Sequence, residues 1–247
     1  MSKLMVGVLA LAAGAGAASA DIYSGYEVGQ YTIDLAGNVV QDGFSGRAVN
    51  INYDRWNAPG SSLQALYATG SREVADDLNM VGVGAGWLSH MGLSVANVNN
   101  TASNLTGGGG AIRFYRQSDG GFIGGFNFSM PALNLAAGGS VRLSFAAESL
   151  KALNIFLTDN IWVSTQFTTI TWSGAGSIDN AGIQIRNPAI IGSSADGIYD
   201  VTNSQSINFG GNPLANNAYF IATDNVPTPG SLALLGLGGL VAARRRR

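Results

Sequence analysis

Two adjacent carboxylates, Asp76 and Asp77, come nearest to a catalytic pair in this chain. Paired acids cleave a glycosidic bond only when both point at it, one as general acid and the other as base or nucleophile. Neighbours on an extended strand point to opposite faces, so this pair could converge only at a bulge or turn. The plainer reading is a strand-entry turn in which aspartate accepts backbone hydrogen bonds. A calcium site is the intermediate reading, because Ca²⁺ takes several oxygen ligands and only these two are adjacent. His90 is the sole histidine, which excludes a two-histidine zinc site and leaves any Ser-His-Asp triad dependent on one residue, with no G-x-S-x-G elbow beside it. It reads as a surface or partly buried imidazole near Trp87 and Met91. Gly82, Gly84 and Gly86 fall in a G-x-G-x-G spacing within β-rich sequence, not in the G-x-G-x-x-G of a dinucleotide turn. No catalytic residue, metal or cofactor is assigned.

Recognition chemistry has one candidate. Tyr53-Asp54-Arg55-Trp56-Asn57-Ala58-Pro59-Gly60 combines aromatic faces with Asp, Arg and Asn ahead of a Pro-Gly loop. A pyranose offers apolar C–H faces to rings and hydroxyls to polar side chains, so Tyr53, Asp54, Trp56 and Asn57 form a candidate glycan site, with Trp56 as platform and Asp54 as anchor. The preferred alternative is an aromatic packed beneath a loop, because tryptophan is usually well buried. Trp162 and Trp172 read as strand packing.

The elements that would hold such groups are short strands. Charged residues make up 11% of the chain, against about 25% in ordinary globular domains. Val141, Leu143 and Phe145 alternate with Arg142 and Ser144; Ile161, Val163, Thr165 and Phe167 alternate with Trp162, Ser164 and Gln166. This period of two belongs to half-buried strands. Further strands are expected at Tyr31 to Leu35, Ala48 to Tyr53, Leu93 to Val98, Ala111 to Arg116, Ile183 to Arg186 and Tyr219 to Ala222. Gly107 to Gly110 and Ser118 to Gly121 read as the turns between strands. So many strands imply two packed sheets: an all-β, antiparallel, jelly-roll-like sandwich over residues 21–225.

Both ends read as addresses. Met1 to Ala20 has a basic Lys3, an apolar stretch from Leu4 to Ala13 and an Ala18-Ser19-Ala20 cleavage motif, so cleavage leaves Asp21 first. Its apolar run is too short to span a membrane. At the other end Val226-Pro227-Thr228-Pro229-Gly230 precedes a 13-residue apolar segment, Ser231 to Ala243, and then Arg244, Arg245, Arg246 and Arg247. As a helix that segment is about 20 Å long, short of the usual span but workable with snorkelling arginines. The arginines hold the tail's end in the cytoplasm while the body crosses the inner membrane. Of 13 Lys and Arg, five lie in these ends, leaving eight against 15 acids in the body, net −7. That sign gives no footprint for nucleic acid. With no cysteine, stability in an oxidising compartment comes from packing and hydrogen bonds.

The tail resembles a PEP-CTERM signal, the tripartite bacterial tag recognised by the membrane-embedded processing enzyme exosortase. The usual Val-Pro-Glu-Pro appears here as Val226-Pro227-Thr228-Pro229, with Thr in place of the acid. The resemblance covers residues 226–247. In the body, Val74-Ala75-Asp76-Asp77-Leu78, Arg113-Phe114-Tyr115 and Asn160-Ile161-Trp162-Val163 weakly resemble a jelly-roll body found in PEP-CTERM proteins, with Leu78 where Phe is more familiar. The resemblance implies processing by signal peptidase and exosortase, transient passage through the inner membrane, and association with extracellular polysaccharide. The expected function is therefore a non-enzymatic protein of the cell surface, outer envelope or extracellular matrix of a Gram-negative-type bacterium. A lectin-like carbohydrate-binding module is the first alternative and a secreted hydrolase the second.

Overall fold

The alternating strands assemble into two sheets whose apolar phases face each other. A computed structural model describes residues 18–19, 22–24, 26–40, 50–56, 65–81, 86–98, 103–158, 160–186, 189–195, 197–209 and 216–224. The sorting motif, the apolar tail segment, the four terminal arginines, Ala20, Asp21 and Asn57 lie outside the described residues, as does most of the expected leader. Among the described residues no helix is long and apolar enough to cross a membrane.

The first sheet runs in the order β1 (Ala18–Ser19), β15 (Gln205–Asn208), β14 (Ile198–Asp200), β6 (Val74–Asn79), β12 (Asn160–Trp172), β8 (Leu105–Arg116) and β9 (Phe122–Ser129). The second is built around β7 (Gly86–Asn97). On one edge β7 pairs with β10 (Gly139–Phe145) and the short β11 (Phe156–Leu157), and β10 continues to β3 (Tyr26–Ile33). On the other edge it pairs first with β17 (Phe220–Asp224), which carries β4 (Asn50–Asp54), and then with β13 (Ala181–Arg186). Beyond β13 lie β5 (Ala65–Ala68) and β2 (Ile22–Ser24), with β16 (Asn216–Asn217) on its far end. Apart from the parallel β3–β10 and β1–β15 ladders, the pairings are antiparallel. The chain switches sheets at seven of the eleven steps from β6 to β17, as a jelly-roll-like sandwich does and two stacked meanders do not.

The core lies between the sheets. Val141, Leu143 and Phe145 of β10 meet Ile161, Val163 and Phe167 of β12, with Ile112, Phe114, Leu93 and Val95 around them. Each such side chain, fully buried, stabilises the fold by about 1.5–3 kcal/mol before chain entropy is charged against it. Phe145 also meets Phe126 and Phe128 edge-on, with ring centres 5.1 and 5.3 Å away. The strand phase decides which residues reach this layer: on β12 the odd-numbered residues from Ile161 to Phe167 point in and Trp162, Ser164 and Gln166 point out.

Gly107 to Gly110 are a correction: they lie inside β8 and form no turn. Gly109 pairs with Ser129 and Gly110 with Phe128 on one side, while Phe167, Thr169, Ile170 and Thr171 flank them on the other. The register slips between Phe167 and Thr169, a bulge that brings neighbouring backbones close. A methyl at Gly110 would stand 2.5 Å from the Gln166 carbonyl oxygen, and one at Gly109 2.6 Å from that of Phe128. The glycines are there for close approach. The expected turn at Ser118 to Gly121 does join β8 to β9, closed by the Arg116 N–H donating to the Gly121 carbonyl and the Gly120 N–H donating to the Arg116 carbonyl, both at 2.9 Å, and carrying Gly120 at φ +66°.

Candidate functional site

The candidate glycan site is also corrected at its described residues, Tyr53, Asp54 and Trp56. Tyr53 and Asp54 are buried at the end of β4 and Trp56 is 2% exposed, so none offers a face to a sugar. Trp56 sits where the second sheet forks between the β17 and β13 pairings. Its ring lies over Gly92, where an added methyl would stand 2.8 Å from it, and it packs against Phe220 with centres 5.9 Å apart. Its Nε1–H donates to Ser94 Oγ at 3.2 Å, and the Arg142 guanidinium lies 5.3 Å over the ring. Glu27 then ties Arg142 (2.8 Å) to Arg186 (2.6 Å), and Arg186 donates to the Trp56 carbonyl at 2.8 Å. Tryptophan here is a fork-filling core residue held by a partly buried ion network.

Asp76 and Asp77 are not at a strand-entry turn. They occupy the interior of β6, and the pleat sends them to opposite sides. Asp76 is wholly buried, and neither of its carboxylate oxygens has a hydrogen-bond partner among the described residues. Burial pushes its pKa well above the usual range; Arg55 pulls it down and Asp77 adds to the rise. The backbone N–H groups of Asn217 and Asp77 also favour the charged form, but neither meets hydrogen-bond geometry, so desolvation governs. Around Asp76 the polar core contains Tyr53, whose hydroxyl meets Ser194 Oγ at 3.3 Å, and Tyr219, whose hydroxyl meets Thr165 Oγ1 at 2.7 Å. Burial raises the pKa of both phenols. Asp77 points outward and accepts the Ala195 N–H at 3.0 and 3.2 Å. The two acids therefore cannot act on one bond. Among the described residues no group of three or more His, Cys, Asp or Glu is placed to hold a metal ion. His90 is buried, with Nδ1 3.0 Å from Ser89 Oγ.

The surface that retains recognition chemistry is the outer face of the first sheet. Asp77, Trp162, Tyr115 and Phe122 stand directly opposite one another across β6, β12, β8 and β9. Phe122 is 61% exposed and its ring meets Tyr115 at 5.6 Å. Trp162 is half-buried in the outward phase of β12, while Trp172 packs against the edge of the core. Beneath the row, Glu73 accepts from Tyr115 Oη at 3.3 Å and Ser164 Oγ at 2.6 Å and pairs with Arg113 at 3.3 Å. Burial first, and then the Glu73 charge, push the Tyr115 phenol up to about 12. Phe122 and Glu73 carry no motif, and Tyr115 enters the sequence reading only within the Arg113-Phe114-Tyr115 resemblance. The signal for the row in the sequence is phase: Trp162 shares the outward phase of its strand with Ser164 and Gln166, so it belongs to the polar side.

Comparison with known proteins finds no family model, no curated protein and no solved structure that matches the chain.

Proposed function

We propose that this chain is an exported, non-enzymatic protein of the cell surface or extracellular matrix, delivered by its C-terminal tail and associated with extracellular polysaccharide. The observation that carries the reading is the order of three features in the tail: Val226-Pro227-Thr228-Pro229, an apolar segment, and four arginines. Signal peptidase and exosortase are its processing partners, and the inner membrane holds it only in transit. The absence of cysteine does not contradict a destination outside the cytoplasm. The opposed directions of Asp76 and Asp77 remove the acid pair that motivated the hydrolase reading. A lectin-like module is the second reading, favoured by the aromatic row on the outer face of the first sheet.

Intact-mass analysis of protein from its native envelope tests the sorting step. The expected C-terminus lies between Val226 and Gly230, without Arg244 to Arg247. Replacing Pro227 and Pro229 with Ala permits regular helix where an extended segment is needed, so the arginine-bearing form should then accumulate in the inner membrane. Mature protein at the cell surface with its arginines intact would refute the sorting reading.

A further inference from the structure

We infer that the outer face of the first sheet binds a neutral, extended β-linked polysaccharide, with Trp162 and Phe122 as stacking platforms and Asp77 as a hydroxyl acceptor. The inference rests on the polysaccharide association proposed above and assigns it a place and a chemistry.

Three observations carry it. The first is the register. Phe122, Tyr115 and Trp162 are cross-strand neighbours on β9, β8 and β12, so the two outer rings start from backbones two strand spacings apart, about 9.6 Å. That separation is commensurate with the disaccharide unit of an extended β-1,4-linked chain, in which equatorial substituents leave flat apolar C–H faces. Tyr115 lies between them, 7% exposed, and fills the floor. A single exposed phenylalanine needs no explanation, but one aligned in register with an outward-phase tryptophan forms a strip.

The second is charge. The Arg113 guanidinium, in the outward phase of β8 opposite Ser164, is matched on this face by Glu73 at 3.3 Å. The row itself adds the carboxylate of Asp77. Such a surface has no excess of positive charge to attract an anionic polymer and suits a neutral one.

The third is that the polar groups are held before any ligand arrives, which lowers the entropy lost on binding. Asp119 anchors Arg116 through two hydrogen bonds, 3.0 and 2.9 Å, and caps Gly121 N–H at 2.9 Å, fixing the turn that presents Phe122. Asp77 accepts the Ala195 N–H, and a carboxylate has about four lone-pair sites, so it retains acceptor capacity for sugar hydroxyls.

The test is retention of the full-length protein on microcrystalline cellulose and on chitin, with alginate as the anionic comparison, for the wild type, Phe122→Ala and Trp162→Ala. The wild type should be retained on cellulose or chitin and not on alginate. Phe122→Ala should weaken retention about tenfold with an unchanged melting temperature, because its ring contributes little to the core; this keeps the test decisive should Trp162→Ala fold poorly. Passage of the wild type through both neutral polymers, equal retention on alginate, or wild-type retention by Phe122→Ala would each overturn the inference. The sorting reading is judged separately by the C-terminal mass, so a cellulose-binding protein that keeps its arginines would sink that reading and leave this one standing.

Discussion

A buried aspartate with no hydrogen-bond partner among the described residues makes stability depend on pH in a direction opposite to the familiar one. Asp76 is wholly enclosed between the sheets, and desolvation lifts its folded-state pKa well above its unfolded value. Between those two values the folded state holds a proton that the unfolded state has released. Stability is therefore full below the unfolded pKa, about 3.9, and falls as pH rises through the folded pKa. The slope approaches about 1.4 kcal/mol per pH unit in that window. Asp76→Asn keeps the size and cannot ionise. Urea denaturation of both proteins between about pH 4 and pH 8 cancels the other titrating groups in the difference. At the acid end the two should agree within about 1.5 kcal/mol, because each buries a neutral polar group. Toward neutral pH the Asn variant should become the more stable, by a margin that grows until Asp76 ionises in the folded state. A flat difference, or an Asn variant that loses ground as pH rises, would mean that Asp76 is charged throughout and held by Arg55, and the reasoning would be wrong.

Two substitutions probe the corrected elements. Trp56→Ala should cost about 3–5 kcal/mol of stability, read by chemical denaturation, because it empties the fork of the second sheet and strands the Ser94 hydroxyl; a small loss would revive the exposed-platform reading. Gly110→Ala should destabilise by about 1–3 kcal/mol, since its methyl would meet the Gln166 carbonyl at 2.5 Å, whereas a connecting turn at Gly107 to Gly110 would absorb the change with little effect.

Much of the fold was legible because alternation is a local property. The periods of β10 and β12 locate both the strands and the inward face. Gly107 to Gly110 were misleading for a physical reason: glycine marks both a turn and a place where backbones crowd, and only the bulge against β12 distinguishes them. Asp76 and Asp77 were correctly separated onto two faces by the pleat, yet their place in mid-strand was not visible, since two acids seldom sit in the interior of a central strand. Trp56 could be weighed only by residue type, and its burial depends on Gly92, Ser94 and Phe220, which lie far away in sequence.

The candidate site differs from the fold in what it requires of the sequence. A core residue needs only to be apolar and in the inward phase, and many substitutions satisfy that condition. A stacking platform must be aromatic, in the outward phase, and in register with another ring on a different strand. Trp162 and Phe122 lie 40 residues apart in the chain and meet the last condition only through Tyr115, which pairs with both. Trp56 satisfies the first condition alone: it follows β4 into a fork where the sheet closes over it. An aromatic residue flanked by polar neighbours is thus weak evidence for a binding surface, whereas an aromatic in the polar phase of an alternating strand is stronger. The pleat has already turned that ring away from the core, and something outside the core must account for it.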